Sequence, residues 1–581
     1  MPSLFQKIMK LIKAYFIIVG VIVTLVFMSL YFILKNSSSS FQLNSFQLQT
    51  PSAEKLETNS LLYINWDGLT LRESSNLENP FQFVFSDYLS SEKNAYIPEM
   101  QSYFKSLALD DRIEGLFIKL GFVSGSLALL SELRQVLLEF KEKSGKPIYF
   151  WLPYADTKGY YLASLGDEIL IPPLGTLQLL GPMVQQIYFG EAIRKIGVDL
   201  EVIKNGSHKS APEVYLRNKP STFAKNMYKE LEYSLRKTLI KEISNSSENL
   251  NETQLEKAFS KSLYTASQAL SENLVNHISY FPQAKEKLSK KHDLPFYKFS
   301  DYLENKEYEK FPTHKNIETQ DGIALIEAIG EIHHITNKDN DGINLSKITK
   351  ELEWAKENKN VKALVLRISS PGGDAHASDM IWEEVRRLSE KKPVVVSMGT
   401  SAASGGYYIA APAQKIYADP YTLTGSIGTF SIIGNLKRFK EKYGVSFYVE
   451  SQSDRKDLIN MGKEPTKEDK RVLQNLSDTF YNAFVQKVSL GRKLSESHIR
   501  SIAEGRVWSA SQALEIKLID EIGTLKDALS GAKELAGFSK EDPIPVLRWT
   551  PEIKSLSDCF TNTEAMKKCL EGIDEYVVLL N

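Results

Sequence analysis

The chain has 581 residues, more than one compact core ordinarily holds, so two or more domains are expected. Hydrophobic residues make up 42% and charged residues 25%, as in an ordinary globular protein, which excludes a disordered or collagen-like chain. The formal net charge of −1 offers no basic groove, so nucleic acid is not expected as a partner.

The first element is apolar. Ala14 to Leu34 carry no charge, and at ~1.5 Å per residue they reach about 30 Å, enough to cross a bilayer core. Lys7, Lys10 and Lys13 precede this stretch and Lys35 follows it. That bias predicts a cytoplasmic N-terminus with the body of the chain on the outer side of the membrane. A cleaved signal peptide is the competing reading, because Ser37 to Ser40 are small, although its apolar core is usually shorter. The Ser-rich residues 36 to 49 read as a linker.

Beyond residue 50 the chain repeats itself. Gly159-Tyr160-Tyr161 matches Gly406-Tyr407-Tyr408, Gly181 matches Gly428, and Gly197-Val198 matches Gly444-Val445, all at one offset of 247 residues (406 − 159). The apolar run Leu116–Leu120 parallels Leu364–Ile368, and Lys146-Pro147 before Ile148–Phe150 parallels Lys392-Pro393 before Val394–Val396. Strands alternating with amphipathic helices predict parallel sheets covered by helices, hence two tandem α/β domains. The expected organisation is a stub, span and linker over 1–49, a first repeat over 50–312, a second over 313–545, and a tail over 546–581. A polar stretch around Asn305–Pro312 marks the boundary, and Gly322–Ile326 opens the second repeat as a strand.

The chemistry is expected in the second repeat. The β-branched run Val394–Ser397 leads through small residues to Ala403-Ser404-Gly405-Gly406 and then to a helix-like stretch. A serine at such a strand-to-helix turn presents its hydroxyl beside free N–H groups, as an acyl-transfer nucleophile requires. Upstream, Arg367-Ile-Ser-Ser-Pro-Gly-Gly-Asp374 supplies a glycine turn after a strand. Either Gly372 or Gly373, with Gly405, can complete an oxyanion hole; the bland reading is an ordinary turn. In the first repeat Thr157 and Lys158 stand where Ser404 and Gly405 stand in the second, so that copy has lost the nucleophile. The base is open at this point. His376 is nearest to the glycine turn among eight histidines, yet a histidine at a helix start is more often a surface residue. A buried lysine, neutral near pH 7, is the alternative.

Ala403–Tyr407, Ser370-Pro371-Gly372-Gly373 and Leu423-Thr-Gly-Ser-Ile-Gly428 together resemble the signal peptide peptidases of the SppA type, in their long tandem-repeat form, over roughly residues 55 to 545. The resemblance implies two ClpP/crotonase-like domains after a transmembrane helix. It implies a Ser–Lys dyad with the serine in the second repeat and the lysine in the first. The matching lysine is Lys209, in Gly206-Ser-His-Lys-Ser-Ala-Pro-Glu213. Lys456, its equivalent at the repeat offset, sits in Asp454-Arg-Lys-Asp-Leu458 and resembles the base of single-repeat members, so it is the alternative. Asp374 departs from the family pattern and sets a carboxylate next to the oxyanion turn. Gly425, Ser426 and Ile427 are expected to line the substrate groove by strand addition.

The resemblance further implies remnant signal peptides as substrates, lipid contact through the N-terminal helix, a homo-oligomer (a tetramer) and an inner-membrane location. No cofactor is expected. No CxxC or HExxH motif is present, so no metal is expected either. Cys559 and Cys569 are the two cysteines, and both a local disulfide and free thiols fit their spacing. An acyl-CoA enzyme of crotonase type and a non-catalytic membrane scaffold are the competing functions.

Overall fold

The computed structural model describes residues 55–74, 94–310, 321–334, 342–450, 452, 460–539, 544–549 and 578–579. The apolar stretch 14–34, both cysteines and Lys456 lie outside these residues. Among the described residues no helix is long and apolar enough to cross a membrane.

The first half builds a parallel sheet. Strands β1 (Ser60–Trp66), β2 (Ile113–Leu120), β3 (Ile148–Trp151) and β4 (Glu168–Ile171) are adjacent in the sheet, and His277–Ile278 and Phe296–Lys298 close its two edges. These strands are apolar on both faces because helices cover both. The connection from β2 to β3 is α1 (Leu127–Ser144), which starts where the Ser126 hydroxyl accepts the Leu129 N–H and stops at Gly145 in a left-handed conformation (φ 67°). Its Leu130, Leu133 and Leu137 pack into the same core as Ile64, Leu116 and Phe150. A short helix, α2 (Thr157–Ala163), follows β3. After β4 the chain leaves the sheet as β5 (Asp199–Lys204) and then forms the long helix α3 (Thr222–Ser246).

The second half repeats this plan. Strands β6 (Gly322–Ile329) and β7 (Val361–Ser370), helix α4 (Ala375–Ser389), strand β8 (Val394–Ala403) and helix α5 (Gly405–Ala410) follow in order. The strand foreseen over Val394–Ser397 runs six residues further, up to Ala403 just before Ser404. Strand β9 (Leu423–Gly425) pairs parallel with the end of β8, placing Gly425 beside Ala403. Strand β10 (Phe430–Asn435) and the long helix α6 (Lys467–Arg492) come next. Pro545–Leu547, across the expected boundary between the second repeat and the tail, adds a parallel strand beside β6.

The two halves belong to one compact body, residues 54–581. They are sewn together by β5 and β10, which pair antiparallel over six residues from Asp199–Asn435 to Lys204–Phe430. A buried ion pair also joins them: Arg367 on β7 meets Glu132 on α1 at 2.8 Å.

Candidate functional site

The site forms where β8 ends. Ser404 has φ 53° and ψ −118°, a left-handed conformation uncommon for any residue but glycine. Two backbone hydrogen bonds hold it there: its N–H donates to the Gly425 carbonyl (2.8 Å), and its carbonyl accepts the Tyr408 N–H (2.9 Å). The serine thus stands at the N-terminus of α5, its hydroxyl lifted out of the sheet beside the first N–H groups of the helix.

Lys209 arrives from the other repeat. Antiparallel pairing carries β5 to the second half, where Asn205 N–H donates to the Thr429 carbonyl (2.9 Å) and His208 N–H to the Glu504 carbonyl (2.8 Å). Gly505 touches the lysine directly: a Cβ there would lie 2.6 Å from Lys209 Cβ. The lysine is 2% exposed, not the solvated loop residue its composition would suggest. Its Nζ reaches Ser404 Oγ (3.0 Å), the Ser426 carbonyl (2.9 Å) and Ser426 Oγ (3.0 Å). Burial disfavours the ammonium and pushes the pKa down from 10.5 to about 7. The neutral amine is therefore well populated at physiological pH, with its lone pair available to the serine proton.

The glycine turn lies against the serine. Gly372 has φ 107°, and a Cβ on it would sit 2.8 Å from both Gly405 N and Ser404 Cβ. Its own N–H donates to Ser370 Oγ (3.1 Å). The main-chain bridge that pins the turn to Ile332 uses the Gly372 carbonyl and the Asp374 N–H, and leaves the Gly373 N–H out of it. Of the two glycines left open by the sequence, Gly373 is thus the freer donor, alongside Gly405. The Asp374 carboxylate is engaged by the helix that follows the turn. It caps α4 by accepting the Ala377 N–H (2.7 Å).

Gly425, Ser426 and Ile427 are placed differently from expectation. Their backbone is already engaged: the Gly425 carbonyl accepts from Ser404, Ser426 N–H donates to the Arg506 carbonyl (2.7 Å), and the Ile427 carbonyl accepts the Gly505 N–H (2.9 Å). Three of the main-chain groups that an added strand would use are thus already taken. Ser426 holds the lysine instead, a role sequence reasoning missed because it depends on contact with a segment 217 residues away. The group that meets Ser404 Oγ is Lys209, not His376. Thr157 is no second nucleophile: its buried hydroxyl accepts the Gly181 N–H (3.0 Å), and the Lys158 ammonium is spent on the Gly125 carbonyl (2.6 Å).

A cavity of about 270 Å³ opens beside Ser404 and Gly405. Its walls are mainly apolar: Ala375, Tyr408, Phe430, Phe480, Ala483 and Phe484. A larger depression of about 990 Å³ lies over α3, and its lining includes neither Ser404 nor Lys209. The smaller cavity is the one placed for chemistry.

The sequence model of Peptidase family S49 matches residues 140–295 and 386–539, one block in each half. The chloroplastic serine protease SPPA of Arabidopsis thaliana is 29% identical over 500 residues, covering 84% of this chain and 73% of its own. Protease 4 of Haemophilus influenzae is 30% identical over 529 residues, covering 86% of this chain and 83% of its own. Among solved structures, a mutant of ClpP1 from Listeria monocytogenes aligns with 36% of this chain and 94% of its own at 16% identity, with a TM-score of 0.24.

Proposed function

The chain belongs to peptidase family S49, and from that premise we propose that it cleaves peptides with Ser404 as nucleophile and neutral Lys209 as general base. The observation that carries this reading is the 3.0 Å approach of Lys209 Nζ to Ser404 Oγ inside a buried pocket. The scissile carbonyl sits over Ser404. As Oγ attacks, its proton passes to Lys209 Nζ, and the charge on the carbonyl oxygen is met by the N–H groups of Gly405 and Gly373. The lysine then hands its proton to the leaving amine, which departs and leaves an acyl-enzyme. A water gives its proton to the again-neutral Lys209 and attacks the ester; Lys209 then returns that proton to Ser404 Oγ as the C–Oγ bond breaks and the acid product leaves. Ser426 keeps the amine aimed at the serine through the cycle.

The apolar cavity beside Ser404 supports substrates with apolar side chains near the cut, as in remnant signal peptides. In this reading the span at 14–34 anchors the chain in the cytoplasmic membrane with its body on the outer face, close to such substrates. The domains are of the ClpP/crotonase-like type, and the working form is a homo-oligomer.

A fluorophosphonate probe and a peptide-hydrolysis assay test the dyad together. Ser404→Ala should abolish labelling and lower hydrolysis about 10⁴-fold or more. Lys209→Ala should do the same to hydrolysis, while Lys456→Ala should leave it within a few-fold of the parent. Activity that survives Lys209→Ala and is lost in Lys456→Ala would transfer the base to Lys456.

A further inference from the structure

We propose that His334, Asp374 and His376 form a binding site for a divalent transition-metal ion of the zinc class, at the rim of the cavity beside Ser404, and that its occupancy inhibits peptide cleavage. The candidate ligand atoms of the three residues all lie within 4.8 Å of one another. The imidazole rings are 5.2 Å apart between centroids and tilted by 56°, so they are not stacked face to face.

The three side chains are gathered from two segments by the main chain. His334 follows the short strand Ile332–His333, whereas Asp374 and His376 begin α4. Ile332 N–H donates to the Gly372 carbonyl (2.9 Å), and Asp374 N–H donates to the Ile332 carbonyl (2.8 Å). These two bonds fix the spacing of the ligand-bearing backbones. The side chains themselves are exposed. Asp374 is held further: one carboxylate oxygen accepts the Ala377 N–H at 2.7 Å, and the other is not used by that bond. A hydrogen bond of this kind orients metal-ligating carboxylates generally.

The donor set selects the ion. Two imidazoles and one carboxylate suit zinc, cobalt or nickel and suit calcium or magnesium poorly. Three protein ligands at a solvent-facing site leave a fourth position for water. The consequence for cleavage follows from position. His376 lines the same cavity as Ser404, and Asp374 adjoins Gly373 of the oxyanion turn. An ion held there ties the turn to His334 and narrows the way to the serine. The inhibitory half rests on the peptidase reading of Ser404; the binding half does not.

Cobalt(II) and zinc titrations of the full chain carrying Ser404→Ala test binding without any need for activity. One equivalent should bind, read by calorimetry and by cobalt absorption. His376→Ala and His334→Ala, each added to that background, should weaken it at least about tenfold, and magnesium should give no signal. Equal binding by the parent and a His334→Ala/His376→Ala double variant would overturn the site. In the active chain, zinc should suppress hydrolysis with the midpoint seen in the binding titration. His334→Ala, whose side chain is not part of the cavity, should keep its basal rate and need about tenfold more zinc. Binding without any effect on hydrolysis would overturn the inhibitory role. A parent chain that hydrolyses no peptide would count against the Ser404 reading alone, and the cobalt titration would still decide the site.

Discussion

Lys209 is shaped by burial alone: its pKa falls to about 7 because water has been removed from around it. Two outcomes follow. Hydrolysis measured as kcat/KM should rise with pH along a limb centred near 7, since only the neutral amine can take the serine proton. Stability should carry the opposite face of the same shift. The folded pKa of about 7 lies below the ordinary lysine value of about 10.4, so between them the unfolded chain holds the extra proton and stability rises with pH. Below about pH 7 the burial penalty is complete. Lys209→Met should therefore melt above the parent, by a margin largest at pH 6 and shrinking toward pH 10, as calorimetry across that range would record. A margin independent of pH would mean that the lysine is not depressed. At this scale the sequence was partly legible. Ser404 announced itself through the strand, the small residues and the helix around it. Lys209 was recoverable only through the family-like block Lys209-Ser210-Ala211, because nothing in its neighbours foretells 2% exposure. Ser426 was visible as part of a motif but not in its function, which arises only when the two repeats meet.

Among the elements, the turn after β7 is the least tolerant of change. Gly372 combines a positive φ of 107° with Gly405 N and Ser404 Cβ at 2.8 Å from where a Cβ would go. Gly372→Ala should therefore displace the turn from the nucleophile and lower kcat by about 10²–10³, the scale of losing one oxyanion donor. A variant that keeps its parental circular dichroism and loses kcat rather than KM would match this; unchanged kcat would remove the turn from the mechanism. The alternation of strands and helices that builds both sheets was readable from apolar periodicity. The pairing of β5 with β10 was not. Burial along Asp199–Lys204 and Phe430–Asn435 is only partial, and what specifies the pair is the partner strand in the other repeat. The metal-ligand cluster was hidden for the same reason: His334 and His376 are neighbours only through the bridge from Ile332 to the glycine turn.

Taken whole, the molecule is two repeats that share a buried polar seam. Arg367 donates to Ser397 Oγ (2.9 Å) and pairs with Glu132, each 3% exposed in its side chain. Nearby, Tyr161 of the first repeat and Tyr421 of the second both donate to Glu242 (2.7 and 2.6 Å). Desolvation drives the Glu132 carboxyl upward, and Arg367 is the cation that opposes this. Removing one partner strands the other, so Arg367→Ala should cost roughly 3–5 kcal/mol in denaturant unfolding. The double change Glu132→Leu/Arg367→Met should recover much of that loss. A single variant as stable as the parent would show that the seam does not hold the halves together.

The pairing of β5 with β10 also sets a clock. Lys209 and Ser404 are separated by 195 residues of chain. At about 5–20 residues per second of synthesis, roughly 10–40 s pass between translation of Lys209 and translation of Ser404. During that interval the emerging chain holds a lysine with nothing to activate. On the proposed dyad, a ribosome-bound fragment ending short of Ser404 holds the base without its nucleophile, so hydrolysis has to wait until both β5 and β10 have been made and paired.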